Sequence, residues 1–182
     1  MQQVSYLRRR CTDQGKIETF LLQARTGVIG MVSDNLPYAV PVNYLWHDGS
    51  FYFHGMGSGR KESILSRQPS VCITVYKEHG TVTDPVPCHA DTSYMSVMIF
   101  GKAEKVTVAD EGAAVLQKLL EKYLPKYYSH PLTGTLIEKY RSALDDNAVS
   151  IYRVTPQEMT AKENAAEPES LFRTEMRPDN PV

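Results

Sequence analysis

The sequence predicts a mainly β fold (β+α): an antiparallel β-barrel with peripheral helices covering its openings. Three observations point there. Six short runs are rich in β-branched and aromatic residues or alternate apolar with polar side chains. The first three runs are joined by connections of hairpin length. The strands also lack the regularly interposed helices that a parallel sheet requires.

The elements follow in order. Ile17, Phe20, Leu21 and Ala24 recur at helical spacing between Thr12 and Arg25, and Thr12 or Asp13 can cap that helix. The period then changes. Thr26–Ser33 reads as a strand, Asp34–Pro37 as a turn, and Tyr38–His47 as a strand with Val40, Val42, Tyr44 and Trp46 on one face. Pro41 cannot donate to a ladder, so it belongs at an edge, at a bulge or against a ligand. Asp48-Gly49 turns the chain into Ser50–His54, and the three strands form a meander. A Gly-rich turn leads into a short helix bearing Arg60 and Lys61, closed by Pro69. Ser70–Lys77 is the fourth strand, Glu78–Asp91 a long loop, and Thr92–Thr107 the fifth strand, with a bulge expected at Gly101. Helices over Asp110–Leu124 and Thr133–Leu144 precede a last strand, Ala148–Val154. Residues 1–160 are thus expected to form one domain, and 161–182 a polar tail, poorly ordered or docked on a partner.

Composition excludes several function classes. The chain has 182 residues and a formal net charge of -1, from 20 basic and 21 acidic side chains. That balance argues against a nucleic-acid binder or a polybasic membrane anchor. No apolar run approaches the roughly 18 residues of a membrane helix, and no secretory signal is evident. The three cysteines lack CxxC spacing and the histidines lack metal-ligand spacing, so no metal site is expected and a cytoplasmic protein is.

Three stretches could carry chemistry. His54-Gly55-Met56-Gly57-Ser58-Gly59-Arg60-Lys61 combines close-approach glycines, a helix start, a hydroxyl and two cations, which suits a terminal phosphate. It also reads as a hairpin end with a solvated Arg-Lys pair. Pro37–Trp46 places Asn43 in an apolar wall that could meet a planar ligand, or it is a core strand. Tyr94 and Ser96 project to one face of the fifth strand and could hydrogen-bond a ligand, or simply make that face half polar. Cys88-His89 has no evident orienting third group and is not taken as a nucleophile pair.

Taken together, PYAVPVNYLWHDGSFYFHGMGSGRKESILSRQPSVCITV and TSYMSVMIFGKAEKV closely resemble the pyridoxamine 5′-phosphate oxidase-like flavin-binding split-barrel family, nitroimidazole-resistance branch. The resemblance runs over about Leu22–Val154. It implies a six-stranded split β-barrel and a homodimer with FMN at the subunit interface; FAD is the alternative, because the turn reads only a phosphate. It places Ser58, Arg60 and Lys61 at the phosphate, and His54 and Gly55 beside the ribityl chain and ring. It sets Val42, Asn43 and Tyr44 on the strand facing the isoalloxazine, and Ser96 at a ring- or phosphate-contacting position. His54 matches the branch's functional histidine and is the catalytic candidate. The implied activity is reduction of small aromatic or nitroaromatic acceptors. The alternative is a non-catalytic flavin or haem carrier or redox sensor. The chain has no counterpart of the oxidases' C-terminal tryptophan and arginine-rich segment, so vitamin B6 oxidation is not expected.

Overall fold

A computed structural model describes residues 6–176. Its elements run α1 (Gln14–Gln23), β1 (Thr26–Ser33), β2 (Leu36–His47), β3 (Ser50–Gly55), α2 (Arg60–Arg67), β4 (Ser70–Val82), β5 (Asp91–Lys105), α3 (Ala109–Tyr123), α4 (Gly134–Lys139) and β6 (Ser150–Asn164). The strands close into an antiparallel ring in the order β1-β2-β3-β6-β5-β4. The predicted six-stranded split barrel with peripheral helices is therefore what the chain forms.

Local chemistry explains the early elements. Asp13 caps α1 by accepting from the Lys16 N–H at 3.0 Å. The β1–β2 hairpin turns on Asp34 and Asn35, both at positive φ (52° and 64°), and β2–β3 turns on Asp48 and Gly49 (47° and 67°). Two residues at positive φ match the right-handed twist of the flanking strands, which short-side-chain Asx and Gly tolerate best. Leu36 already pairs with Ser33, so β2 begins two residues before the predicted Tyr38. β2 pairs with β1 over Leu36–Asn43 but with β3 only over Tyr44–His47. Pro41 lies in the one-sided stretch, as an edge proline should.

Three later boundaries differ from the sequence reading. β4 continues to Val82, through what reads as loop, because it pairs with Asp91–Ser93 of β5 across a register shift between Glu78 and Gly80. Phe172 N–H donating to Thr81 O and Thr83 N–H donating to Ser170 O pin the chain's later segment against this hairpin. α4 ends at Lys139 rather than Leu144, because Arg141 Nη1 donates to the carbonyls of Glu138 and Tyr140 (both 2.7 Å) and terminates the helix. β6 runs to Asn164, not Val154, because β5 offers it a ladder along its whole length. Ala161 is buried there, so residues 161–164 belong to the barrel wall rather than to a loose tail. The bulge expected at Gly101 is present, as a register shift between Phe100 and Gly101.

The barrel interior is aromatic. Tyr44 stacks on Phe51 at 4.3 Å and Phe53 on Tyr152 at 5.2 Å, pairs worth about 0.5–1.5 kcal/mol each beyond their buried area. Tyr44 Oη donates to the Leu21 carbonyl at 2.7 Å, which fixes α1 over one barrel end. A second, smaller core lies outside the ring, where Val115 and Leu119 of α3 pack on Leu45, Tyr52 and Ile151. α3 is therefore held against the outer face of β2, β3 and β6, and α4 packs on α3.

Candidate functional site

The site begins at the open edge of β2. Tyr44 stands opposite Phe53, so the next row of the same pair of strands holds Asn43 and His54. Side chains alternate along a strand. Tyr44 and Phe53 fill the barrel, and Asn43 and His54 therefore project outward, toward α3 and α4. There they share a cleft of about 560 Å³ with Leu116, Leu119 and Tyr123 of α3, Ile137 of α4, and His130.

Tyr44 itself is withdrawn from the cleft. Its ring is buried in the barrel, and its backbone is taken by Tyr123. The Tyr44 N–H donates to Tyr123 Oη at 2.9 Å, and the one Tyr123 hydroxyl proton is shared between Tyr44 O (3.0 Å) and the Arg25 carbonyl. One phenol thus replaces the missing rung between β2 and the residue preceding β1. Val42 is half-buried against the barrel core and its backbone pairs with Gly27 of β1, so the backbone of Asn43, one residue on, borders the open edge.

The Gly-rich turn follows directly from His54. Gly59 caps α2 with φ 96° and ψ -177°, a combination open to glycine almost alone. Lys61 folds back so that its ammonium crosses Gly55, reaches the His54 carbonyl at 3.4 Å and lies 5.4 Å from the Phe53 ring. Burial lowers the Lys61 pKa, and Glu62 partly opposes that shift. His54 is exposed at the cleft mouth. The protein around it, and then the Lys61 ammonium, nonetheless lower its pKa, which favours the neutral imidazole. Arg60 is exposed and stacks over Tyr38 at 4.5 Å. Glu62 ties α2 to the barrel, accepting from Lys105 Nζ at 2.7 Å and Tyr152 Oη at 2.5 Å. Those bonds fix the rotation of the helix that carries Arg60 and Lys61.

Two predicted residues stand apart. Ser58 Oγ donates to Asp145 Oδ2 at 2.5 Å, so its hydroxyl proton is committed within the chain and a carboxylate sits beside the turn. Ser96 lies on the outer face of β5, opposite Tyr76 and Lys162. Three strand steps round the ring separate β5 from β2, and Ser96 is not among the residues lining the His54 cleft. Within one chain Ser96 does not meet His54.

The sequence reading missed the α3–α4 side of the cleft. The leucine stripe of α3 reads as ordinary core packing, and His130 lacks any metal-type spacing. Only docking of α3 on β2 and β3 places these residues over His54. Among the described residues there is no cluster of three or more metal-type ligands, and no helix is long and apolar enough to cross a membrane.

Known proteins place the fold. No curated protein matches the sequence. The flavocytochrome Anf3 from Azotobacter vinelandii superposes with a TM-score of 0.76 at 19% identity, over 99% of this chain and 87% of that one. The FAD and haem binding protein from Mycobacterium smegmatis gives 0.71 at 16%, over 88% and 75%. A candidate 5-nitroimidazole antibiotic resistance protein from Bacteroides thetaiotaomicron gives 0.65 at 25%, over 84% and 85%. The barrel is thus an architecture shared with flavin-binding proteins. The family model for pyridoxamine 5′-phosphate oxidase matches residues 13–163, from the cap of α1 to the end of β6. By that match and by its closed six-stranded ring, this chain belongs to the pyridoxamine 5′-phosphate oxidase family.

Proposed function

We propose that the protein is a flavin-dependent reductase of small aromatic or nitroaromatic acceptors, working as a homodimer. The observation that carries this reading is the adjacency of an open strand edge at Asn43, the His54 imidazole and the half-buried Lys61 ammonium. The residues fit a flavin. Among the described residues Lys61 has only one long hydrogen bond, to a carbonyl, so its ammonium has capacity left for a phosphate, and Arg60 lies next to it on the first turn of α2. The backbone N–H and C=O of Asn43 are free to face a ring edge, while those of Val42 turn to β1, and His54 can donate or accept a hydrogen bond beside them. Ser58 takes part only if Asp145 releases it. A bound flavin would supply the electron transfer, while these residues bind, orient and shield it.

The nitroaromatic acceptor draws support from the Bacteroides relative, and the flavin from relatives named as FAD-binding. FMN and FAD share the phosphate that the turn reads. The dimer draws support from the outer face of β1, β4 and β5. There Val28, Tyr76 and Met98 are 41%, 51% and 36% exposed around Ser96, an apolar face that a second chain would cover while bringing its own residues to the cleft. Titrating the protein into FMN and into FAD should quench flavin fluorescence saturably. The Arg60→Ala/Lys61→Ala pair should weaken that affinity at least tenfold. Unchanged quenching in the double variant refutes the phosphate assignment. Flavin binding without turnover of a nitroimidazole by reduced nicotinamide supports a carrier instead.

A further inference from the structure

The Gly-rich turn carries one contact that works against a phosphate. Ser58 Oγ donates to Asp145 Oδ2 at 2.5 Å, across 87 positions of sequence. A serine hydroxyl has one proton, so while this bond stands Ser58 offers only lone pairs. A phosphate oxygen needs a donor, and the donor is spent. The ligand's phosphate and the Asp145 carboxylate therefore compete for the same proton.

The carboxylate is held in place by its own loop, between α4 and β6. Asn147 Nδ2 donates to Asp145 Oδ2 at 3.1 Å, and the Asn147 N–H donates to Asp145 Oδ1 at 3.3 Å. The Ser142 N–H donates to Asn147 O (2.9 Å) and the Asp146 N–H to Ser142 O (2.8 Å), which closes the loop. The Ser58 bond first, and then the Asn147 bonds, hold the Asp145 carboxyl below its ordinary pKa, so it is charged at neutral pH. Neither cation of the turn neutralises it: among the described residues Arg60 stacks over Tyr38 and Lys61 reaches the His54 carbonyl. The backbones of turn and loop also meet. A Cβ on Gly57 would lie 2.3 Å from Ala148 O and 3.0 Å from Asn147 Cβ, so glycine is what lets the turn come this close.

We propose that the loop 142–148 is an internal latch on the turn, and that Asp145 sets the turn's affinity for phosphate by occupying Ser58 until the ligand displaces it. Asp145 acts as a positioning residue, through the Ser58 hydroxyl and through its charge. A phosphomonoester carries about −1.5 to −2 charges at neutral pH, so a carboxylate on the same hydroxyl also repels it. The proposal rests on the reading of the turn as a phosphate site and adds what regulates that site. A ligand without a phosphate does not compete for Ser58.

The test compares FMN with riboflavin, which share ring and ribityl chain and differ by the phosphate. Flavin-fluorescence quenching gives both affinities for the full chain. Asp145→Ala should raise the ratio of FMN to riboflavin affinity by about fivefold or more, the scale of one recovered hydrogen bond. Asp145→Asn keeps an acceptor without the charge and should give part of that rise, and Asp145→Glu should restore the wild-type ratio. A merely structural role would move both flavins together. Adding Ser58→Ala to Asp145→Ala should remove part of the gain. A second arm uses inorganic phosphate and no flavin: it should raise the thermal midpoint of Asp145→Ala more than that of wild type. An unchanged or lower ratio in Asp145→Ala overturns the latch while leaving flavin binding intact. If FMN binds to no variant, the flavin reading fails, and equal phosphate shifts in wild type and Asp145→Ala then overturn the latch as well. Far-UV circular dichroism confirms that each variant is folded.

Discussion

Tyr123→Phe isolates a single phenolic hydroxyl that joins three parts of the molecule. In the structure that oxygen accepts the Tyr44 N–H at 2.9 Å and shares its one proton between the carbonyls of Tyr44 and Arg25. Phenylalanine keeps the ring, its place in the cleft wall and its stacking under the Arg25 guanidinium, 4.6 Å from the ring centroid. Only the hydroxyl is lost. The Tyr44 amide is then left facing the barrel end without an acceptor, which costs about 1–3 kcal/mol. The two carbonyls retain other lone-pair directions and add less. With a total near 2 kcal/mol and a urea slope of about 2 kcal/mol per molar, the unfolding midpoint should fall by about 1 M. The slope should not change, because the fold is the same. Urea melts of both proteins at one fixed concentration, followed by tryptophan fluorescence, measure the difference. A shift below about 0.3 M would refute the argument that this hydroxyl substitutes for a strand rung, and would mean that water serves Tyr44 equally well.

Three further outcomes are expected. Burial pushes the Glu62 pKa up, but the bonds from Lys105 and Tyr152 outweigh it and leave it below its ordinary value. Glu62 therefore stabilises the fold above its unfolded pKa, and that contribution is lost as pH falls through its folded one. Glu62→Gln should lower the pH 7 urea midpoint and flatten its acid limb; an unaltered acid limb contradicts the assignment. Lys122 Nζ is buried and has no hydrogen-bond partner among the described residues; it lies 4.2 Å from the Tyr44 ring centroid, and burial lowers its pKa to about 8. The unfolded chain binds more protons between about 8 and 10.5, so Lys122 makes stability rise with pH in that window. Lys122→Met should remove that rise relative to wild type, and denaturation at pH 7.5 and 9.5 reads it. Gly59→Val forces a β-branched residue to φ 96° and should cost about 1–3 kcal/mol, seen as a lower thermal midpoint together with weaker flavin quenching. An unchanged midpoint would mean that the turn relaxes freely.

The elements that the sequence reveals are those whose signals are local. Asp34-Asn35 and Asp48-Gly49 announce their hairpins because positive φ is tolerated by few residues. The alternation in β1 to β3 is legible because one face is buried and the other wet. The turn from His54 to Lys61 is legible as a cluster, since its residues are adjacent in the chain. β6 beyond Val154 carries no such pattern: its Thr155–Asn164 half is mostly polar and is a strand because β5 supplies partners. The second half of β4 is the same case, held by β5 on one side and by the segment ending at Phe172.

The sequence by itself determined the fold class, the meander, the position of the cationic turn and the resemblance that names the family. Tertiary structure alone decided what faces that turn. It gave Ser58 to Asp145, sealed the Tyr44 backbone with Tyr123, left Ser96 outside the His54 cleft, and laid α3 and α4 over Asn43 and His54. The physical reason is sequence separation. Turn and strand propensities act over a few residues, whereas a phenol 79 positions from the amide it serves is placed only by packing of the whole chain.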